Sequence, residues 1–401
     1  MGRTFRVLAS ALSCLWLLGV TSTRLAGIGP TEAPAGFDNR TNGLVAQALY
    51  DADRTTFEER DEISGGLGPL YNAQSCAECH QTPITGGGSQ IAELRAGTFA
   101  DGVFTPHPGG SLINDRATDA SIQEHVYDTD NVQTLRMTLN TLGDGFVEAI
   151  ADATFTQIRN AQPPHMRGQI IMVPIAEAGG ALRIGRFGWK NQNASLLSFS
   201  GDAYLNEQGI TNRLFSTENT SSGYPVDQYD PIKEVNGANE DPDNDIDAFA
   251  EFMRATKAPP RGLRSATVNA GEAVFNAIGC NICHTAAMTT APAGTAINGG
   301  ALNVPNALGD KIIHPFSDYM LHDIGTGDGI VQNGGPSTRN KLRTAPLWGL
   351  RTRSRLMHDG KALTYERAIQ RHRGQAEEVS EAFRHLSPVH RAQLAAFLSS
   401  L

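Results

Sequence analysis

Residues 75–82 read "SCAECHQT": two cysteines separated by two residues, with a histidine directly after the second. The same arrangement returns at residues 279–285 as "GCNICHT". Two thiols at this spacing reach the two vinyl groups of a porphyrin from one turn of chain, and the adjacent histidine can bind the iron as proximal ligand. The pattern therefore predicts two covalently bound c-type haems, with His80 and His284 as axial ligands of the iron.

The cysteine count favours this interpretation over the other uses of a C-x-x-C pair. A thioredoxin-like redox motif does not need the following histidine, and a zinc site usually joins two pairs that lie about 15–20 residues apart. An exported chain normally places spare cysteines in disulfides, yet only one of the five cysteines lies outside the two motifs. The four motif cysteines are Cys76, Cys79, Cys280 and Cys283.

The N-terminal segment, residues 1–27, predicts an export signal. Arg3 and Arg6 precede an apolar run at residues 7–20 that is too short for a comfortable membrane span. Cys14 raises a lipoprotein interpretation, but the apolar run continues past it, which is the wrong layout for a lipid-modified first residue. An uncleaved N-terminal anchor is the remaining alternative. We expect a periplasmic protein with no transmembrane span after signal cleavage.

The sequence around the second motif predicts a cytochrome c domain. Residues 269–285, "NAGEAVFNAIGCNICHT", place Gly271 in the pattern of the first helix of such a domain. Near the end of the chain, Ser387 as N-cap and Pro388 at the first helical position begin an amphipathic helix long enough to pack across the first one. Two helices that cross beside the haem would close the domain.

A Pro-Pro pair at residues 259–260 predicts the boundary between two domains. We expect an N-terminal haem domain at residues 28–261 and a C-terminal haem domain at residues 262–401. With 42 Gly and 20 Pro residues, the chain should be rich in loops. The predicted fold class is mainly α, with two cytochrome c-like domains and a long insertion in the first. The net charge of −9 argues against a nucleic-acid partner, which would be met by clustered Lys and Arg.

A faint internal repeat supports two related haem domains. Arg136 follows His80 by 56 residues and Arg343 follows His284 by 59 residues, and each stands in a Leu-Arg pair before a turn that contains Gly. A planar guanidinium suits a haem propionate, so both arginines are predicted to bind one. The insertion in the first domain would lie between about residues 145 and 240.

The chain resembles the bacterial di-haem oxidoreductases of peroxidase or thiol-oxidoreductase type, which are related to the di-haem cytochrome c peroxidases. The matching stretches span most of the chain beyond residue 64: "GGLGPLYNAQSCAECH", "IGRFGWKNQ", "FSDYMLHDIGTG", "LRTAPLWGL" and "LMHDGKALTYERAIQRHRGQA". The resemblance implies an oxidoreductase that receives electrons at its C-terminal haem from a small redox protein of cytochrome c or cupredoxin type.

The resemblance also implies roles for residues near the C-terminal haem. In similar peroxidases the sixth ligand follows the His-Asp-Gly motif by about fourteen residues, and counting from His358 leads to His372. Met357 is the rival ligand. His358 would then bind a propionate or an axial imidazole, and His322 receives the same assignment with a purely structural role as the alternative.

The residues around the N-terminal haem are less clearly indicated. A peroxidatic haem needs an open or displaceable sixth position and a group that moves a proton between the peroxide oxygens. His107, His125 and Met137 are candidate sixth ligands, and His107 lies in a Gly- and Pro-rich stretch that would allow displacement. Glu148 is the candidate proton shuttle, with a surface helix position as the alternative.

Two further features of the family bear on function. Trp189 and Trp348 are candidates for an electron bridge between the haems, although a packed aromatic is the commoner role of tryptophan. Similar peroxidases hold a calcium through a Thr-Ala-Pro stretch shortly before their His-Asp-Gly, and this chain has residues 353–355, Arg-Ser-Arg, there. That departure argues against carrying the calcium over. A non-enzymatic electron-transfer cytochrome and a thiol oxidoreductase are the alternative functions.

Overall fold

The computed structural model describes residue 2, residues 29–230, residue 232 and residues 239–401. The predicted export signal therefore lies outside the described residues, apart from Gly2. In the part of the chain that is described, none of the helices combines the length and the apolar character needed to cross a membrane.

The helices are mostly short. Within the described residues they are α1 Gln47–Glu58, α2 Cys76–Cys79, α3 Asp144–Glu148, α4 Asp152–Ala161, α5 Leu196–Ala203, α6 Asp245–Ala255, α7 Ala266–Ala277, α8 Tyr365–Gln370, α9 Glu377–Arg384 and α10 Pro388–Leu398. Single 3₁₀ turns and one π turn, Tyr204–Gln208, connect several of them.

The strands are shorter still, with one exception of nine residues. They are β1 Thr31–Glu32, β2 Leu70–Tyr71, β3 Ala92–Ala100, β4 Val103–Pro106, β5 Leu112–Ile113, β6 Arg116–Ala117, β7 Val132–Met137, β8 Met172–Ile175, β9 Ala181–Ile184, β10 Met288–Thr289, β11 Ala296–Ile297, β12 Leu302–Asn303, β13 Lys311–Ile313, β14 Leu321–His322 and β15 Leu342–Arg343.

The prediction of a mainly α fold is wrong. The chain is 32% helical and 17% strand, with many small sheets, so the fold is mixed α/β. The missed signal is a β-hairpin: β3 and β4 are joined by Asp101 and Gly102, whose φ angles are +51° and +80°. An Asp-Gly pair between β-prone segments is a strong predictor of a two-residue hairpin turn, because both central residues need positive φ.

The largest sheet lies beside the first motif. Strand β3 pairs antiparallel with β7 along one edge and with β4 and β5 along the other. The end of β7 reaches the His-Asp-Gly stretch, because the backbone N–H of Met137 donates to the carbonyl of His358 at 2.6 Å. This contact joins the sheet to the C-terminal part of the chain.

The predicted helix crossing in the C-terminal part is confirmed. Helix α10 begins at Pro388, and the Ser387 hydroxyl accepts a hydrogen bond from the His390 N–H at 3.2 Å, as expected of an N-cap. Helices α7 and α10 pack against each other at Gly271, where a Cβ would lie 2.0 Å from the carbonyl oxygen of Gln393. Only glycine allows the two backbones to approach this closely.

Within the part of the chain that the structure describes, the buried apolar residues form one large core and three smaller ones. The large core combines residues on both sides of position 262, from Tyr50 to Trp348, and contains most of α6. A second core gathers α7, α9 and α10 around Phe275, Phe383 and Phe397. The predicted domain boundary at residue 262 remains a prediction.

Candidate haem-binding sites

Both cysteine motifs have the same local geometry. In each, the backbone N–H of the histidine donates to the carbonyl of the first cysteine, at 3.0 Å for His80 and 2.9 Å for His284. This single turn holds the two thiols and the imidazole together. All four motif thiols are free rather than paired in disulfides. Each motif therefore keeps the donors that a c-type haem requires.

Each motif faces its own cavity. The first motif lies in the wall of a cavity of about 1440 Å³, together with the end of β7 and the π turn Tyr204–Gln208. The second motif lies in the wall of a cavity of about 180 Å³. We refer to these as the larger and the smaller cavity.

Two imidazoles of the smaller cavity are each held by a backbone carbonyl. The Nδ1 atom of His284 is hydrogen-bonded to the Phe316 carbonyl at 2.8 Å, and the Nδ1 atom of His372 to the Ala368 carbonyl at 2.8 Å. Both rings line this cavity. A ring whose Nδ1–H is bound by a backbone carbonyl presents its Nε2 lone pair to a metal, which is how ligating histidines are usually oriented.

Burial keeps these rings neutral, as iron ligation requires. Desolvation lowers the pKa of His284 to about 4, and it lowers the pKa of His372 as well. In the first motif the pKa of His80 is lowered to about 4 for the same reason. Neutral imidazole is the form that binds iron.

The smaller cavity also contains two arginines with buried donor atoms that lack a partner among the described residues. Arg343 and Arg353 both line it. Among the described residues, the Nε atom of Arg343 and the Nη2 atom of Arg353 are buried without a hydrogen-bond partner. Desolvation lowers the pKa of Arg353 to about 10, and the charge of Arg343 adds to the effect. Unpaired buried donors are costly, and haem propionates would satisfy them. The residues of this cavity fit a haem.

In the larger cavity the corresponding arginine is already paired. Arg136 lies in the cavity wall and donates through Nε to Asp328 at 2.9 Å. Lys190 binds the other oxygen of the same carboxylate at 2.8 Å. The larger cavity therefore differs from the smaller one in having carboxylates as well as cations.

A pair of carboxyl groups is the second feature of the larger cavity. Glu93 on β3 accepts from Arg95 at 2.6 Å, and its side chain is also hydrogen-bonded to Glu207. Burial together with the Glu93 charge raises the pKa of Glu207 to about 8, while Arg95 keeps the pKa of Glu93 low despite its burial. Two carboxyls that share one proton form a typical acid–base group.

Comparison with known families agrees with this geometry. Residues 109–401 match the family model described as "Di-haem oxidoreductase, putative peroxidase". The chain belongs to the di-haem oxidoreductase family. Its cofactors are therefore haems and its function is redox chemistry. The resemblance stated from the sequence is confirmed.

Solved structures offer only distant likenesses to this di-haem oxidoreductase. One is Kuenenia stuttgartiensis hydrazine synthase pressurised with 20 bar xenon, at 14% identity and a TM-score of 0.39, covering 98% of this chain and 100% of that chain. Another is a MauG-like protein associated with microbial copper homeostasis, at 13% identity and a TM-score of 0.41, covering 92% of each chain. No curated protein sequence matches the chain.

The predicted sixth ligands of the N-terminal haem lie in different places. His125 and Met137 line the larger cavity. Met137 packs against Gly360, where a Cβ would lie 2.6 Å from the sulfur. His107 is not among the described residues that line either cavity; its Nε2 is bound to Asp130 at 2.7 Å.

The predicted proton shuttle Glu148 is buried away from the cavities. Its carboxylate accepts from Arg254 at 2.7 and 3.0 Å and from the backbone N–H of Leu196 at 2.7 Å. Glu148 is fully buried, and among the described residues it belongs to the lining of neither cavity. Its position is that of a structural ion pair within the large core.

Three residues near the second motif match their predicted neighbourhood. Met357, His358 and His322 all line the smaller cavity. The Nε2 atom of His322 is bound to Asp318 at 2.8 Å, and its Nδ1 lies 3.8 Å from the sulfur of Cys283. Cys283, Asp318 and His322 could together hold a metal ion, but a thioether bond to a haem would occupy the sulfur of Cys283. His322 is thus engaged on both sides.

The two predicted tryptophans separate clearly. Trp189 lines both cavities and donates from Nε1 to the Met137 carbonyl at 2.8 Å. Its ring also meets the ring of His358 edge to face at 6.1 Å. Trp348 is buried in the large core. It is not among the described residues that line the two cavities.

Three residues of the sites were not predicted from the sequence. They are Glu93 and Glu207, which form the acid–base pair, and Arg353, whose buried Nη2 atom has no hydrogen-bond partner among the described residues. Glu93 could have been found, because the alternation in β3 places it on the same face as Arg95. Glu207 lies in the π turn Tyr204–Gln208, far along the chain from the first motif, and carries no local signal. Arg353 was noted in the sequence only as a departure from a calcium-binding stretch.

Proposed function

We propose that this di-haem oxidoreductase is a periplasmic enzyme with two covalently attached c-type haems, at Cys76–Cys79 and at Cys280–Cys283. In this proposal it reduces peroxide at the N-terminal haem. The electrons enter through the C-terminal haem from a small redox protein of cytochrome c or cupredoxin type. The haems supply the redox chemistry, and the chain supplies ligands, charge and protons.

The observation that carries this proposal is the contrast between the two cavities. The smaller cavity is mostly apolar and has both His284 and His372 in its wall. Two imidazoles directed at one iron would leave no place for a substrate, which suits electron transfer. The larger cavity is roomy and contains titratable groups beside its motif, which suits a site where a substrate binds and protons move.

Glu207 is the group that we assign to proton transfer. Reduction of one hydrogen peroxide to two waters consumes two electrons and two protons. With its pKa raised to about 8, the carboxyl of Glu207 holds a proton at neutral pH. Glu93 accepts from Arg95 at 2.6 Å and so stays ionised beside it. The pair can hand over its one proton, which leaves both carboxyls ionised, and it is restored by a proton from solvent; two such transfers supply the two protons of the reaction.

Trp189 is the residue that we assign to the link between the haems. It is in the wall of both cavities, and its indole is held by the carbonyl of Met137. An aromatic ring fixed between two redox centres shortens the path that an electron must cross. Trp189→Leu should therefore slow electron transfer between the haems and leave their ligation unchanged.

The experiment begins with the mature protein expressed in a strain that attaches c-type haem. Mass spectrometry of the denatured chain should show two haems and loss of the N-terminal signal. The variants Cys76→Ser/Cys79→Ser and Cys280→Ser/Cys283→Ser should each retain one. Loss of both haems on acid–acetone extraction of the wild type would refute covalent attachment.

Spin state then distinguishes an enzyme from an electron carrier. Electron paramagnetic resonance should show one low-spin six-coordinate haem and one haem with an open or displaceable position, in the oxidised or the half-reduced protein. Peroxide should be consumed with a reduced donor. Two low-spin haems in both redox states, with no peroxide consumption, would identify a simple electron-transfer cytochrome instead.

A further inference from the structure

Charge is distributed very unevenly along the chain. Residues 339–401 contain twelve Lys and Arg against five Asp and Glu, whereas the whole chain contains 33 against 42. This region, which supplies much of the wall of the smaller cavity, is therefore basic within an acidic protein. Such segregation creates a local potential that attracts an oppositely charged partner.

Part of this charge forms a defined surface, which we call the cationic patch: Arg355, Lys361, Leu363 and Arg367. An isolated antiparallel bridge pairs Leu356 with Ala362, so Arg355 and Leu363 are neighbours across it. Leu363 is 68% exposed. The patch thus has an exposed apolar side chain, with Arg355 opposite it across the bridge and exposed Lys361 two positions before it.

Two cations of the patch, Arg355 and Arg367, form no ion pair among the described residues, and the third, Lys361, has only a long one. The carboxylate nearest to Lys361 is that of Asp359, at 4.0 Å, and it already accepts two bonds from Arg371 at 2.8 and 2.6 Å. Arg355 reaches only the neutral amide of Gln90, at 3.4 Å. Arg367 is exposed, near the start of α8, and forms no ion pair within the described part of the chain.

The patch lies on the outer side of the segment that covers the smaller cavity. Tyr365, Ala368 and Ile369 of α8 line the cavity. Arg367 is exposed on the same helix, whose diameter is only about 10–12 Å with its side chains. A redox centre placed against the patch would therefore be separated from the cavity by a single layer of structure.

We propose that the cationic patch binds an acidic redox protein, one whose redox centre lies near a surface ringed by carboxylates. The inference rests on the proposed function, because it assumes that electrons enter through the C-terminal haem. The partner loses one electron and the haem gains one, and no bond is made or broken. Leu363 supplies the apolar contact, and the three cations supply steering and orientation.

A reduced plant-type [2Fe–2S] ferredoxin is the probe, because it is acidic and its potential is low enough to reduce a c-type haem. Stopped-flow mixing with the oxidised holoprotein should give a second-order rate constant that falls steeply with ionic strength. Lys361→Glu/Arg367→Glu should lower that constant at least tenfold at low salt. Leu363→Ala should lower it at high salt, where screening removes steering.

The matched control is Arg40→Glu/Arg264→Glu, which changes the net charge by the same amount with two exposed cations outside the patch. It should leave the rate close to that of the wild type. Reduction by dithionite should be equal in all variants. Because dithionite bypasses the patch, unchanged peroxide turnover with it separates failure of this inference from failure of the proposed function.

Three outcomes would overturn the inference. The first is a ferredoxin rate that does not depend on salt. The second is an equal loss in the control variant, which would assign the effect to net charge alone. The third is binding to phosphatidylserine vesicles that depends on Lys361 and Arg367 while ferredoxin reduction does not, which would identify a membrane contact.

Discussion

The two cavities begin from the same motif and end in opposite environments. The larger cavity, at the first motif, has a volume of about 1440 Å³ and has paired ions around it. The smaller cavity, at the second motif, has a volume of about 180 Å³ and mostly apolar walls. In the larger cavity Arg136 is neutralised by Asp328. In the smaller one Arg343 and Arg353 have buried donors without a partner in the described chain. The motif fixes the cofactor, and the surroundings determine what it can do.

Only the larger cavity has an acid–base pair among its described residues, so replacing Glu207 tests this difference between the two cavities. We expect it to have the largest effect on the rate of peroxide reduction. Replacing Glu207 with Gln removes a positioned acid–base group, which typically costs about 10²–10⁴-fold in rate. The wild-type rate should fall as pH rises through about 8, because the carboxyl is protonated below its raised pKa and ionised above it. Steady-state peroxide reduction between pH 5 and 10 measures both effects, and the alkaline limb should vanish in Glu207→Gln.

Glu78→Gln is the control for that experiment. Glu78 lines the same cavity, but its carboxylate is paired with Arg60 at 2.7 Å. Its replacement should change the rate little and keep the limb near pH 8. If Glu207→Gln retains that limb, the proton comes from elsewhere and the assignment of Glu207 is wrong.

Replacing His372 tests whether its imidazole occupies the sixth position of the C-terminal haem iron. We expect the next largest effect here. His372→Ala should open the iron and convert one haem to high spin, while both haems remain bound. His372→Met should keep the iron six-coordinate and raise its potential by on the order of 100 mV, within the roughly 0.8 V range that axial ligands span. Absorption spectroscopy and redox titration measure both results.

His358→Gln provides the comparison, because His358 lines the same cavity and its imidazole is assigned to a propionate or an axial imidazole rather than to the iron. It should leave the spin state unchanged. The opposite pattern, with a high-spin haem in His358→Gln and none in His372→Ala, would exchange the two assignments and invalidate the fourteen-residue offset.

Replacing Gly271 tests the packing of α7 against α10 beside the smaller cavity. We expect the structural change to be limited to the C-terminal half of the molecule. A Cβ there would lie 2.0 Å from the carbonyl of Gln393, so Gly271→Ala must push α7 away from α10. Overpacking of this kind costs about 1–3 kcal/mol in the free energy of unfolding. Thermal denaturation should show the loss together with a changed C-terminal haem spectrum.

Gly65 is the matched position for this prediction, since nothing lies within 4 Å of a Cβ built there. Gly65→Ala should stay within about 0.5 kcal/mol of the wild type. A loss at Gly65 equal to that at Gly271 would show that the helix crossing is not what the glycine protects.

The sequence predicted the parts of each site that are local in the chain. The motif cysteines, His80 and His284 follow from spacing, and the N-cap at Ser387 follows from residue type. The mainly α fold class was wrong because the Asp101-Gly102 turn was overlooked.

Residues that reach a cavity from distant segments could not be predicted in the same way. Glu93 and Glu207 are more than a hundred positions apart and meet only through the fold. Glu148 had the expected type for a proton shuttle, but burial beside Arg254 gives it another environment. Chemical type is visible in a sequence, whereas the partner that changes a pKa is not.

The unpaired cation of the smaller cavity gives the smallest and most specific test. Arg353→Gln removes a positive charge that favours the reduced, more electron-rich haem, so the potential of the C-terminal haem should fall. At a separation of about 10 Å and an effective dielectric constant of about 20, one charge is worth roughly 1–2 kcal/mol, or some tens of millivolts. The fold should survive, because within the described residues no carboxylate depends on Arg353.

Arg355→Gln is the matched variant: the side chain is exposed two positions away, and solvent screens its charge. Redox titration should therefore show a shift in Arg353→Gln and almost none in Arg355→Gln. Equal shifts would mean that only the net charge of the surface matters, and that the guanidinium of Arg353 is not directed at the cofactor.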